Sequence, residues 1–192
     1  HAIIGNTIHG NGWNGVSVGR EHEVLLVNNA ITGNGTAAGS TGGRVGVSRE
    51  ATVPANPAGI HLLGNMLCGN RLGEIDGPAL DSTDSGSLTP GGAEGPGVGA
   101  SPGCGSAAAL YANVTGLDHL ALTGDDDFTP AAGSPLIDQG LDPRTLGLPV
   151  RLNPLLEADV LANGVRPQAG GPGAARFAIG AIERTVPVST LT

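Results

Sequence analysis

The sequence predicts an all-β protein whose short strands wind as a coil, and three observations lead there. The stretch "NTIHGNGWNG" from Asn6 returns as "NAITGNGTAAG" from Asn29 and as "NMLCGNRLGE" from Asn65, a self-similarity that marks a repeat architecture. Aligned on the first Asn, the three copies bring short apolar segments into columns separated by Gly and Asn, too short and too interrupted for helices. Of 192 residues, 34 are Gly and four are aromatic (Trp13, Tyr111, Phe128 and Phe177), so Val, Ile, Leu and Ala must build the core between many turns.

Each repeat contributes three segments. Ile3-Ile4, Leu26-Val27 and Leu62-Leu63 precede the first Asn; Ile8, Ile31 and Leu67 follow it by two residues; Val16–Val18, Val45–Val47 and Leu72–Ile75 come third. Three strands per pass make a triangular coil. Stacking successive passes about 4.8 Å apart pairs their backbones and piles Ile8 on Ile31 on Leu67 inside. Asn6 to Asn29 is 23 residues, one pass; Asn29 to Asn65 is 36 and needs insertions. Those fall at 36–43 ("TAAGSTGG") and 49–57 ("REATVPANP"), between columns, where a surface loop can bulge without breaking the stack.

The Asn columns then have a physical role. A side-chain amide both donates and accepts, so Asn6, Asn29 and Asn65 can bond one another and turn backbone, as can Asn11, Asn34 and Asn70. Asn also tolerates the left-handed backbone of a sharp corner, and Gly10, Gly33 and Gly69 recur beside it for that reason.

Here the chain resembles the right-handed parallel β-helix proteins of the pectate-lyase-like superfamily, over about residues 2–76. Downstream, "FTPAAGSPLIDQG" (128–140), "DVLANGVRP" (159–167) and "IGAIE" (179–183) resemble, in order, the C-terminal region common in secreted bacterial β-helix proteins. Ala178, Ile182 and the late Gly164 depart from that pattern. The resemblance implies about three coils over 1–76 and a C-terminal capping segment over 110–192, in an extracellular or cell-surface protein. Between them, 77–109 is Gly-, Pro-, Ser- and Ala-rich, a loop or linker. "NPLLEADVLANG" (153–164) is open between a short helix, capped by Asn153 with Pro154 at its first position, and an irregular segment. A coil starting at His1 would present bare strand edges, so upstream coils of the same protein are an expected partner.

The net charge of −8, with nine Arg and no Lys, argues against nucleic acid or an anionic membrane as partner. No apolar run approaches the ~18 residues of a membrane span. Cys68 and Cys104 match no metal-site spacing; a disulfide and a buried thiol are equally open.

Polysaccharide lyases of the resembled fold line carboxylates from neighbouring coils along one outer face, where they hold calcium beside a basic residue. In this alignment the outward positions of the third column are Ser17, Gly46 and Asp76, which offers no stacked carboxylate pair. Arg71, Glu74 and Asp76 remain as catalytic candidates on the last coil, near His61. Glu21, His22 and Glu23 share one turn, where a solvated corner is the simpler explanation. His9, Thr32 and Cys68 fall in one column, a surface or stacking position. Asp125, Asp126 and Asp127 concentrate hard oxygen ligands and are the candidate calcium site, without EF-hand spacing. Asp138 and Asp142 near Arg144, and Glu183 beside Arg184, suit turn-holding roles. Asn34-Gly-Thr36 and Asn113-Val-Thr115 match the glycosylation pattern. Trp13, the candidate sugar-binding residue, is read as a cover on the open flank of the coil in preference to an exposed platform.

The function expected is a non-catalytic C-terminal part of a secreted or cell-surface β-helix protein, a scaffold or cap with a glycan contact. The alternative is part of a polysaccharide lyase, epimerase or glycoside hydrolase whose catalytic coils lie upstream.

Overall fold

Segments of three to five apolar-rich residues closed by Gly or Asn leave room for a strand and not for a helix. The computed structural model describes residues 1–19, 24–37, 44–49, 60–76, 88–90, 99–101, 107–120, 123–148 and 177–182. The strands of the repeat are β1 (Ala2–Ile4), β2 (Thr7–His9), β3 (Val16–Val18), β4 (Val24–Val27), β5 (Ala30–Thr32), β6 (Val45–Arg49), β7 (Ile60–Leu63), β8 (Met66–Cys68) and β9 (Gly73–Asp76). They pair in parallel as three ladders, β1-β4-β7, β2-β5-β8 and β3-β6-β9. Each pass of the chain adds one strand to each ladder, which gives a parallel β-helix-like architecture.

Register in the first two ladders follows the Asn alignment. Ile3 opposes Leu26 and then Leu62, and Ile8 opposes Ile31 and then Leu67. These side chains meet Val16, Val18, Val47 and Ile75 in one interior cluster. A strand sends alternate side chains to opposite faces, so Ala30, Thr32, Met66 and Cys68 face outward from the second ladder yet are buried. Something must cover them.

The cover comes from downstream. Leu110, Tyr111, Leu136 and Ile179 pack on Ala30, Met66 and Cys68 as a second cluster. There β12 (Tyr111–Asn113) pairs antiparallel with β13 (Asp127–Pro130). Asn28 fastens this layer: its Nδ2 donates to Leu141 O (2.7 Å), its Oδ1 accepts from Leu141 N (2.8 Å), and its carbonyl accepts from Gly180 N (2.7 Å). Ala181 N reaches Thr7 Oγ1 (3.1 Å). The described C-terminal residues thus lie along the flank of the stack, touching successive passes. Within the stretch expected as a linker, β10 (Leu88–Pro90) pairs with β8 at Leu88–Met66, and β11 (Gly99–Ser101) pairs with β10. The middle ladder therefore continues to five strands.

Two local expectations are corrected. The third-ladder register is Val16–Val47–Ile75 and Ser17–Ser48–Asp76, so Ser48 and not Gly46 holds the outward position. The left-handed corner residues are Gly5, Asn28 and Gly64, together with Gly10, Gly33 and Gly69; at the first corner the ladder asparagines follow the left-handed residue. Asn28 adopts it at φ 53° without being Gly, which Asn does more readily than most residues. The turn at 20–23, most of both insertions, the 153–164 segment, Cys104 and Glu183 lie outside the described residues.

Candidate functional site

The Asn columns form two continuous amide ladders, and their polarity is fixed. Asn6 N and Nδ2 donate to Asn29 Oδ1 (3.0 and 3.2 Å), and Asn29 N and Nδ2 donate to Asn65 Oδ1 (2.9 Å each). Likewise Asn11 donates to Asn34 Oδ1 (3.0 and 2.9 Å) and Asn34 to Asn70 Oδ1 (3.0 and 2.8 Å). Each inner amide also returns a bond to a carbonyl of the pass before: Asn29 to Ile3, Asn34 to Ile8, Asn65 to Leu26 and Asn70 to Ile31. Burial makes this satisfaction obligatory, since an unpaired amide inside costs far more than one in water.

The last-pass candidates sit where the second ladder ends. Asn70 Nδ2 donates to Glu74 Oε2, and Glu74 is only 8% exposed. In register, Glu74 opposes Gly46, which in turn follows Gly15. A Cβ at Gly15 would lie 2.8 Å from Asn34 Nδ2, and one at Gly46 would lie 2.7 Å from Asn70 Nδ2. Gly leaves that space to the amide; Glu74 follows Asn70, the last ladder amide among the described residues, and supplies the acceptor that a further Asn would have given. Its carboxylate is therefore engaged within the stack. Arg71 is exposed on the preceding corner, its N–H on Asn34 O (3.0 Å). Asp76 ends β9 in register with Ser48 and Ser17. The three candidates thus share one pass, Arg71 on its corner and Glu74 and Asp76 at alternate positions of β9.

Trp13 is 58% exposed, an open platform rather than a cover. By register Arg44 and Leu72 follow it along the same corner. Arg44 is buried, with left-handed φ of 79°, and among the described residues its Nε and Nη2 have no hydrogen-bond partner. Asn34 is buried in its ladder, which closes the folded chain's Asn34 to glycosylation. Asn113 stays exposed at the end of β12, its Oδ1 accepting from Thr115.

The Asp cluster organises a turn. Asp125 Oδ2 accepts from Leu117 N (2.5 Å) and Asp118 N (3.2 Å), and its Oδ1 from Thr123 Oγ1 (2.8 Å). The Thr123 bond, then the Leu117 N–H, hold its pKa below the usual carboxylate value. Asp126 accepts from Thr123 N and Asp127 from Thr129 N. Among the described residues no three His, Cys, Asp or Glu converge as metal ligands. Asp142 caps the 3-10 turn Pro143–Leu146 through Arg144 N and pairs with the Arg144 guanidinium (2.6 Å), which lowers its pKa. Arg144 also lies over the Phe177 ring, 5.4 Å away.

Sequence reasoning missed the partners of His9. Its Nδ1 lies 2.9 Å from Thr32 Oγ1, which lies 3.0 Å from the Tyr111 hydroxyl, and Tyr111 and Phe128 stack around the imidazole at 5.7 and 5.4 Å. Burial pushes the His9 pKa below its ordinary value, against Asp126 and Thr32, which raise it. Burial also pushes Tyr111 up to about 12, opposed by the Thr32 bond. Through these bonds and ring contacts the row joins the C-terminal layer to the stack. No signal in the sequence linked Tyr111 to His9, because 102 residues separate them. Cys68, on the same outward column, is disulfide-bonded. Compared with protein-family models, with curated proteins and with solved structures, the chain has no match.

Proposed function

We propose that this chain is a non-catalytic scaffold unit of a secreted or cell-surface β-helix protein, right-handed and about three coils long, whose C-terminal segment closes it and whose Trp13 corner meets a glycan. The observation that carries the reading is the use of Glu74: its carboxylate, one of the catalytic candidates, is buried and bonded to Asn70. The outward column beside it opens with Ser17 and Ser48, hydroxyls where a lyase face needs stacked carboxylates. Catalysis demands acid and base held within reach of one sugar, and the Glu74 carboxylate is given to Asn70. An extracellular setting agrees with a disulfide at Cys68. The glycan contact draws on the exposed ring of Trp13.

Incubation with pectate, alginate and neutral polysaccharides, with and without calcium, should yield neither unsaturated-uronate absorbance nor new reducing ends. Turnover that disappears in Asp76→Ala or Arg71→Ala would replace the scaffold with an enzyme, a polysaccharide lyase, epimerase or hydrolase. Because Trp13 is the sole tryptophan, a glycan that stacks on it must change the intrinsic fluorescence. A panel of oligosaccharides that leaves the emission unmoved removes the glycan contact.

A further inference from the structure

We infer that the row His9, Thr32 and Tyr111 is a pH-sensitive latch, which holds the β12–β13 pair on the stack near neutrality and lets it lift in mild acid. This goes beyond the scaffold reading and rests neither on it nor on a glycan contact.

The number of hydrogens in the row makes it directional. Thr32 and Tyr111 each carry one hydroxyl hydrogen, and two bonds join the row, Tyr111 with Thr32 (3.0 Å) and Thr32 with His9 Nδ1 (2.9 Å). Every hydrogen finds an acceptor there only when Nδ1 is bare: Tyr111 donates to Thr32, Thr32 donates to Nδ1, and the imidazole keeps its own hydrogen on Nε2. A proton arriving in acid then goes to Nδ1. Three hydrogens now meet two bonds, and one is left without an acceptor in the row. Thr32 is 2% exposed and Tyr111 1%, so water does not reach the hydroxyls, and the docked state bears the cost of an unmet donor.

The surroundings act in the same direction. Burial disfavours the imidazolium and outweighs the two influences that favour it, Asp126 on the turn before β13 and the Thr32 backbone. Tyr111 of β12, pushed up to about 12 by burial, stays neutral. Asp127, the acid of β13 itself, is exposed and accepts from Thr129 N (2.9 Å). Cys68, next along the outward column, is disulfide-bonded and does not titrate. With the docked His9 pKa below its ordinary value, the lifted pair binds the proton more readily, so docking is full above that ordinary value and weakens as pH falls through the docked one. Asn28 fastens Leu141 and Gly180, downstream of β13, so the pair can lift while those contacts hold.

Hydrogen exchange in the full chain tests the latch. The Ala131 amide, bonded to Leu110 O (2.9 Å), reports the β12–β13 pair, and the Met66 amide, bonded to Asn29 O (2.8 Å), reports the stack. After correction for intrinsic rates, Ala131 should be roughly tenfold or more less protected than Met66 at about pH 7.5, and should lose roughly a further fivefold by about pH 5. His9→Gln, whose amide oxygen still accepts from Thr32 and which does not titrate, should keep Ala131 protection level across that range. Nitrogen NMR of the unmodified chain, which needs no variant to fold, should find the imidazole hydrogen on Nε2 at the higher pH. Equal protection of Ala131 and Met66 would overturn the inference, because pair and stack would then open as one unit. So would Ala131 protection that ignores pH, a fall that persists in His9→Gln, or a hydrogen found on Nδ1 near neutrality.

Discussion

The Asn70 amide donates to the Glu74 carboxylate, and that bond closes an amide column running through Asn11, Asn34 and Asn70. An acidic residue that reads as a reactive group in the sequence is, in the fold, the terminal acceptor of a buried ladder.

Glu74→Gln keeps an acceptor oxygen at that position and should cost little, whereas Glu74→Ala leaves a buried amide N–H without an acceptor, a loss of about 1–3 kcal/mol. Urea titrations of the two variants decide it. Equal losses would mean that the bond to Asn70 is incidental.

Position along the ladder should set the cost of removing an amide. Asn29→Ala strips partners from Asn6 and Asn65 at once inside the stack, on the order of 3 kcal/mol or more from several unmet groups. Asn6→Ala, at the open end, should cost under about 1 kcal/mol. A reversed order in denaturant midpoints would contradict the ladder as a source of stability.

Gly46→Ala drives a Cβ to 2.7 Å from both Asn70 Nδ2 and Glu74 O. The backbone there cannot yield without breaking β6-β9 pairing, so a loss of about 1–3 kcal/mol is expected. Gly124→Ala, with nothing within 4 Å, is the matched control and should melt like the parent.

Acidification tests His9. Its folded pKa is held below the ordinary 6.5, so the unfolded chain binds a proton first as pH falls. Stability is then full above about pH 6.5 and declines as pH drops through the folded pKa. His9→Gln should flatten that decline relative to the parent between pH 7.5 and 5; parallel slopes would show that His9 titrates alike in both states.

Calcium bound by the folded state alone must raise the unfolding temperature. Asp125 already spends its oxygens on Leu117, Asp118 and Thr123, so melts in excess calcium and in chelator should coincide. A rise with calcium that Asp126→Asn abolishes would restore the cluster as a metal site.

The sequence by itself determined the ladders. A coil has one strand position per column, so the recurrence of Asn, aliphatic and Gly at equal offsets set both the register of Ile8 on Ile31 on Leu67 and the amide columns, through contacts that repeat with the period of the chain. Tertiary structure alone decided the rest. The insertion between Ala37 and Arg44 uncoupled the third strand from the Asn alignment, so only backbone pairing placed Ser48 opposite Ser17. Glu74 took its role from its place beside Asn70, the last ladder amide among the described residues. The contacts of Asn28 with Leu141 and of Thr32 with Tyr111 join residues 113 and 79 apart. They leave no periodic trace, because each occurs once and is selected by packing against a buried outer face rather than by repetition.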